Sequence, residues 1–246
     1  MNADEWSDFA DALADDAESL AALHDRELDT GMMDALRHVG FPSNLGLLPG
    51  DACAEEAWRF MAAAVAELPA VPDAATLDAL AAEYAAIYLT GAYGASPCES
   101  VWLDDDRLVC QAPMFALRDL YAKAGLAGAD WRKRPDDHLV LQLLYVAHAL
   151  RDADDDNARR ALAAMLDEHL LRWLPGFAAR VAARAALPFH AALAALTAAW
   201  CESLRDALAD VLGEARTAPR DVVASDAKPV AEPMPVRYLP GTGPSW

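Results

Sequence analysis

Strand-forming residues are scarce in this chain, whose 246 residues include only one Ile, 13 Val and six Thr. Because β-strands draw mainly on these β-branched side chains, a large sheet is disfavoured, and with it a sandwich, a barrel or a doubly wound α/β fold. The chain contains instead 57 Ala and 34 Leu, which both rank at the top of the helix propensity scale. The composition therefore predicts an all-α protein, and the length suffices for a compact domain with a sizeable core.

Helical periodicity extends over most of residues 1–213, where apolar side chains recur three and four positions apart. Together with Asp, Gly and Pro at the expected helix ends, this pattern predicts a single compact domain of about nine helices. Residues 214–246 hold six of the 15 prolines in the chain, and proline is not tolerated inside a helix. We therefore expect an extended proline-rich C-terminal tail, which is either disordered or laid on the helices as a strap, and the apolar Tyr238 and Trp246 favour the strap.

One stretch of the domain is expected to be its central buried helix. Residues 139–150 are apolar nearly all round a helix, a pattern typical of helices that are covered on every side. Leu141, Leu144 and Tyr145 are therefore expected to be mostly inaccessible.

The longest interior stretch without a helical pattern is residues 91–110. Its apolar segments on either side of Asp104–Asp106 are compatible with a small hairpin. A loop of this length inside a compact domain is often functional. Further along the chain, two separate helices are predicted at about 155–173 and 176–186.

The charge is strongly negative, since 39 Asp and Glu face 20 Lys and Arg for a net charge of -19. Residues 1–110 carry 22 of the acids and only four of the bases. This balance disfavours nucleic acids and anionic membranes as partners. Two interpretations of the acidic half stay open: a surface that attracts a basic partner, or a solvated face that promotes solubility.

Sequence motifs for catalysis or cofactor binding are missing. The chain has no glycine-rich phosphate loop and no G-x-S-x-G element. Its four cysteines show no CxxC spacing, and no residue cluster resembles a zinc knuckle, so no metal site is predicted. The first residues lack the apolar stretch of a secretory signal, and no apolar run of about 18 residues could span a membrane. A cytoplasmic location without membrane insertion is expected.

The densest polar cluster beside an apolar helix is RPDDH, residues 134–138. In the simpler interpretation this is only a helix start, with Pro135 leading into the helix and Asp136 or Asp137 capping it. In the functional interpretation it is a polar binding site, in which His138 titrates near neutral pH. An enzyme alternative also stays open, in which both aspartates and His138 serve a metal-dependent hydrolase.

Five segments in series resemble the TorD/DmsD family, which includes the NarJ-like proteins and consists of cytoplasmic chaperones for molybdenum enzymes. The most specific of them is 134–150, which resembles the family's proline-aspartate-histidine motif at the start of a hydrophobic helix, although Arg134 stands where the family usually has a glutamate or similar residue. The resembling segments are EYAAIYLTG (83–91), SPCESVWLDDDRLV (96–109), ALRDLYAKAGL (116–126), RPDDHLVLQLLYVAHAL (134–150), and EHLLRWLPGFAARV (168–181) followed by PFHAAL (188–193).

This resemblance implies an all-α chaperone without a cofactor or a catalytic residue. It implies that the partner is the apo catalytic subunit of a molybdopterin oxidoreductase, bound through its N-terminal twin-arginine leader. The chaperone would assist cofactor insertion and delay export until maturation is complete. A monomer or a helix-swapped dimer is expected, because members of the family exchange helices. A helical regulatory scaffold without leader specificity remains the alternative outside the enzymes.

The residues expected to bind the leader or client lie in the loop and on the helices that flank it. The aromatic residues would supply apolar surface, the two aspartates would receive arginine in bidentate fashion, and the histidine would orient one of them. Ordinary core packing is the competing interpretation of the three tyrosines. The expected site residues are Tyr84, Tyr88, Ser100, Trp102, Arg118, Tyr121, Asp136, Asp137 and His138.

Overall fold

The computed structural model describes residues 3–216, and in this range it is helical without a β-strand. Ten α-helices are present there, and since a π-helical turn joins α8 to α9, they form nine continuous segments. The predicted all-α fold is confirmed, whereas residues 217–246, and the strap expected there, lie outside the described residues. The helices are α1 (Ala3–Asp25), α2 (Thr30–Val39), α3 (Ala52–Glu67), α4 (Ala74–Tyr84) with its π-helical extension (Ala85–Leu89), α5 (Ser100–Leu103), α6 (Ala112–Lys123), α7 (Leu139–Arg151), α8 (Asp156–Met165), the π-helical turn (Leu166–Leu170), α9 (Leu171–Ala182) and α10 (Pro188–Leu212).

Aspartates set the start of four helices. Asp29, Asp51, Asp73 and Asp155 each accept the backbone N–H three residues further on at 2.8 Å, at the starts of α2, α3, α4 and α8. Each such cap satisfies a donor that the helix itself leaves unpaired, which contributes about 1 kcal/mol. Gly213 ends α10 with φ of 64°, a left-handed conformation that glycine adopts without steric penalty.

The core lies between three long helices and their neighbours. Helix α7 packs along α1, while α10 packs against both α9 and α3. Large aromatic side chains fill the space between α9 and α10, among them Trp173, Phe177, Phe189 and Trp200, all at most 1% exposed. Among residues 3–216, no helix combines the length and the apolarity that a membrane span requires.

Helix α7 is largely buried, but the prediction that it is covered all round is wrong, because one stripe at Leu144 is exposed. It buries Leu139, Leu143 and Val146, but Leu144 is 42% exposed. Leu141 and Tyr145 are half-buried. The helix lies against α1, also contacts α8, and places the ring of Tyr145 5.2 Å from that of Tyr121. An apolar pattern round a helix does not reveal which narrow stripe is left uncovered.

Two further local predictions are also wrong. No hairpin forms around Asp104–Asp106, because the residues before it, Ser100–Leu103, form a short helix, α5. The two helices predicted on either side of Pro175 form one continuous segment, and Pro175 lies inside α9. The π-helical turn Leu166–Leu170 precedes it. Such a widened turn loosens the regular hydrogen-bond ladder, which a proline would otherwise interrupt.

Candidate functional site

Two chain segments that are far apart in sequence lie side by side at the start of α7. The backbone N–H of Leu139 donates to the carbonyl of Pro97 at 2.8 Å, and that of Glu99 donates to the carbonyl of Asp137 at 3.1 Å. Cys98 and His138 thereby form an isolated antiparallel bridge. The loop that the sequence marked as functional is thus fixed to the RPDDH cluster.

Asp137 holds this junction together from inside. Its side chain is fully buried, and its Oδ2 accepts the backbone N–H of Ser100 at 2.7 Å. The Ser100 hydroxyl in turn accepts the backbone N–H of Gln111 at 3.1 Å, and Gln142 donates to the Asp137 carbonyl at 2.9 Å. The expectation that Asp137 caps α7 is therefore wrong, because its carboxylate serves the start of α5.

Asp136 is the buried partner of an arginine. It is 2% exposed, its Oδ2 accepts from Nε of Arg118 at 2.6 Å, and its carbonyl accepts the hydroxyl of Tyr121 at 3.0 Å. Arg118 is partly exposed, and its guanidinium lies 5.4 Å from the ring centres of both Phe115 and Trp131. Arg118, Tyr121, Trp131 and Asp136 border a small pocket of about 120 Å³. Neither Asp136 nor Asp137 is therefore open to an incoming arginine, contrary to expectation.

His138 is the residue that caps α7, and its Nδ1 accepts the backbone N–H of Val140 at 3.2 Å. Burial and the nearby positive charge of Arg134 lower the pKa of His138 to about 4. The prediction that it titrates near neutral pH is thus wrong, because an imidazole in an apolar site resists taking up a charge. Its ring also serves the α7 backbone instead of orienting an aspartate.

A cleft of about 370 Å³ opens beside this junction. The end of α4 and its π-helical extension form one wall, with the rings of Tyr84 and Tyr88. The other walls are formed by the loop around Pro97 and by the RPDDH cluster, which the backbone hydrogen bonds described above join to each other. Part of the rim is apolar, since Leu89 is 66% and Val109 is 50% exposed, whereas Lys133 and Arg134 make another part basic. The other lining residues are Ile87, Thr90, Gly91, Ser96, Pro97, Cys98, Lys133, Arg134, Pro135 and His138.

A chain of buried hydrogen bonds fixes Tyr88 in the cleft wall. Its hydroxyl lies 2.6 Å from Nδ1 of His24, whose Nε2 lies 2.8 Å from the hydroxyl of Thr197. Thr197 donates to the carbonyl of Leu193 at 2.8 Å, so His24 must donate from Nε2 and accept from Tyr88 at Nδ1. Burial lowers the pKa of His24 to about 3 and raises that of Tyr88. The chain is therefore neutral at pH 7.

A buried hydrogen-bonded pair, Glu83 and His190, lies behind the same wall. Oε2 of Glu83 lies 2.9 Å from Nδ1 of His190, and its Oε1 accepts the backbone N–H groups of Ala186 and Leu187 at 2.7 and 3.0 Å. Burial opposes ionisation of Glu83, but these hydrogen bonds outweigh it and lower the pKa of the carboxyl. Glu83 thus ties α4 to the start of α10.

The rim also carries an ion pair that links α1 to the RPDDH cluster. Arg134 pairs through Nη2 with Oδ1 of Asp25, the last residue of α1, and both side chains are partly exposed. The hydroxyl of Tyr84 donates to the Asp25 carbonyl at 2.7 Å. Neither His24 nor Asp25 was predicted from the sequence to have a role. A negative charge at the C-terminus of a helix is unfavourable. The position of Asp25 at the end of the first predicted helix was the one feature of the sequence that could have indicated a role for it.

The structure divides the nine expected site residues among the cleft, the small pocket, the junction between them and one separate position. Tyr121 and Tyr84 are mostly buried, so they combine packing with a hydrogen bond to a backbone carbonyl. The positions are Tyr84, Tyr88 and His138 at the cleft, Arg118, Tyr121 and Asp136 at the pocket, Ser100 and Asp137 at the junction, and Trp102 apart from these.

Trp102 packs on the outside of α9. A Cβ at Gly176 would come within 3.4 Å of its ring, and the guanidinium of Arg180 lies 5.9 Å from the ring centre. Its indole N–H donates to the carbonyl of Ser96 at 2.8 Å. Trp102 therefore holds the loop onto α9 and does not line the cleft.

The geometry does not fit the metal-dependent hydrolase. Asp136 faces Arg118, Asp137 faces the start of α5, and His138 faces the start of α7. Within residues 3–216, no group of three or more His, Cys, Asp or Glu side chains is placed to hold a metal ion. The fold and the site define a different class, a helical binding protein whose cleft is shaped by internal hydrogen bonds.

Comparison with known proteins identifies the family. Residues 51–179 match the family described as nitrate reductase delta subunit, so the chain belongs to it. Similar relatives named chaperone protein TorD come from Shewanella loihica, 29% identical over 75% of this chain and 89% of the relative, and from Shewanella pealeana, 31% identical over 56% and 65%. The chain thus spans just under two thirds of the S. pealeana relative. This is a family of chaperones and not of catalytic enzymes.

Proposed function

We propose that this protein is a chaperone for the catalytic subunit of a molybdopterin oxidoreductase. It binds the apo subunit through its twin-arginine leader, assists cofactor insertion and delays export until maturation is complete. The proposed place of action is the cytoplasm, where export begins. Membership of the family and the relatives named TorD support this role.

The cleft is the observation on which the proposal rests. Its volume of about 370 Å³ is at the small end of the range for ligand pockets, which suits a few side chains of an extended or helical segment. The exposed Leu89 and Val109 continue the apolar surface beyond its mouth. If an apolar leader segment removes about 200 Å² of apolar surface from water, the gain is about 5 kcal/mol.

The charge distribution adds a long-range attraction. The net charge of -19 is concentrated in the first 110 residues, with 22 acids against four bases, and α1 belongs to that half. A cationic leader is drawn toward such a surface, and the attraction weakens as salt screens it. Asp136 and Asp137 have an indirect part in this proposal, because they hold the cleft walls in place.

Titration calorimetry with a synthetic leader peptide tests the proposal. The peptide carries two arginines followed by an apolar run, taken from an oxidoreductase encoded beside this protein. The double substitution Leu89→Ser and Val109→Ser removes apolar rim surface without touching the core. We expect it to weaken binding about tenfold or more, from the loss of about 1.4 kcal/mol.

Val71→Ser is the matched control, because Val71 is 88% exposed and does not line the cleft. Unchanged binding by the rim variant, or an equal loss with Val71→Ser, would count against the cleft as the binding site. Equal binding of the client with and without its leader would favour the helical scaffold without leader specificity.

A further inference from the structure

At the rim of the cleft, the guanidinium of Arg134 is paired with the carboxylate of Asp25. Arg134 lines the cleft, and the two side chains are 37% and 43% exposed. Because Asp25 ends α1, the helix dipole disfavours its negative charge and makes a cation beside it favourable. This carboxylate therefore needs a positive partner, and in the free protein Arg134 provides it.

The position of Asp25 is fixed relative to the aromatic wall. Its carbonyl accepts the hydroxyl of Tyr84, and its neighbour His24 holds the hydroxyl of Tyr88. A second exposed carboxylate, that of Glu27, is close enough to act on the Tyr84 hydroxyl. A group bound to the Asp25 side chain therefore lies next to a residue whose backbone is fixed to the Tyr84 end of the aromatic wall.

Three other carboxylates near the cleft, those of Asp130, Asp136 and Asp137, are engaged within the fold, whereas Glu27 is exposed to solvent. Asp136 and Asp137 are at most 2% exposed and serve Arg118 and the start of α5. Asp130 pairs with Lys133 at 3.7 Å. Asp25 differs from Asp136, which is also paired with a guanidinium, because its carboxylate is 43% exposed and can therefore be reached by a second guanidinium of the same shape.

We propose that Asp25 is the receptor for an arginine of the client peptide, and that Arg134 is an internal competitor which this arginine displaces. The inference rests on the proposed function and names the residues that select the leader. The incoming guanidinium reproduces the planar donor fork of Arg134, which a lysine ammonium does not. Arg134 moves into water at little cost, because it is already partly exposed.

The exchange has a thermodynamic consequence. One ion pair replaces another, so the arginine adds selectivity while the apolar segment supplies the affinity. The apparent affinity falls by the fraction of molecules in which Asp25 is free. Removal of Arg134 should therefore strengthen the binding of an arginine-bearing peptide, and only while Asp25 keeps its charge.

Calorimetry on the full chain tests this with three peptides that share one apolar run and begin with two arginines, two lysines or two glutamines. We expect Arg134→Gln to tighten binding of the arginine peptide about fivefold, the upper range for a partly exposed ion pair. The gain should be smaller for the lysine peptide, absent for the glutamine peptide, and absent when Asp25→Asn is added.

Arg132→Gln is the matched control, since Arg132 is exposed and does not line the cleft. It removes the same charge from the neighbourhood and should leave all three affinities nearly unchanged. The inference is overturned if Arg134→Gln gives no gain in affinity or only the gain that Arg132→Gln gives. It is also overturned if the gain persists in the Asp25→Asn background or extends to the glutamine peptide. In those cases binding of the peptides leaves the proposed function intact, whereas failure of every peptide to bind overturns both.

Discussion

Substitutions of Asp137 can distinguish a structural role of this residue from a direct contact with the client. Its Oδ2 accepts the backbone N–H of Ser100, and the whole side chain is buried. Asp137→Ala leaves that N–H without an acceptor, which destabilises by about 1–3 kcal/mol. The small void left behind adds about 1 kcal/mol, at roughly 24 cal/mol per Å³. We therefore expect a loss of about 2–4 kcal/mol in the free energy of unfolding.

The isosteric change Asp137→Asn should behave differently. Its amide oxygen still accepts the Ser100 N–H, so we expect a loss of about 1 kcal/mol or less and nearly unchanged binding of the leader peptide. Urea titrations monitored by circular dichroism give the free energies of unfolding. Asp105→Ala, at an exposed position, is the control and should change stability by less than about 0.5 kcal/mol. If Asp137→Asn abolished peptide binding while the protein stayed stable, Asp137 would be the arginine receptor and the structural role would be refuted.

Further predictions concern packing, protonation and the tail. Leu143→Ala should cost about 2–5 kcal/mol in a urea titration and Leu144→Ala less than about 1, because only the first is buried; equal losses would contradict the orientation of α7. Since the folded-state pKa of His138 is lowered to about 4, its contribution to stability is present above its unfolded pKa and is lost as the pH falls toward 4. His138→Asn keeps the α7 cap, so stability measured from pH 7 to 4 should fall less steeply than in the parent protein; an unchanged slope would contradict a buried, neutral His138. Deletion of residues 217–246 should leave the helical circular dichroism signal nearly unchanged, because the six prolines there do not support a helix. A collapse of the signal would show that these residues complete the core.

Composition and capping were sufficient to predict the helical fold. The scarcity of β-branched residues excluded a large sheet, and the Asp and Gly expected at helix ends are found there, for example at Asp73 and Gly213. These are local signals, each carried by a few neighbouring residues. By contrast, whether α7 is covered on its outer face, or whether the chain breaks at Pro175, depends on the packing of distant segments, and here the sequence predictions were wrong.

The site was predictable by region but not by role. The RPDDH cluster and the 91–110 loop are in contact, as their joint selection suggested. Asp136 and Asp137 nevertheless point inward, because their carboxylates accept hydrogen bonds from Arg118 and from the start of α5. The link from Tyr88 to His24 joins residues 64 positions apart, and that from His24 to Thr197 joins residues 173 apart. No spacing in a single sequence encodes such pairs.

Photo-crosslinking is the most direct test of the claim that the cleft binds a client leader. A leader peptide carries a diazirine-bearing leucine analogue in its apolar run, and mass spectrometry of the irradiated complex locates the crosslinks. We predict crosslinks at Leu89, Val109 and the Tyr84–Tyr88 wall, which disappear when unlabelled leader is added in excess. Crosslinks concentrated instead at Leu48 or Val71, which are 77% and 88% exposed and do not line the cleft, would contradict the claim.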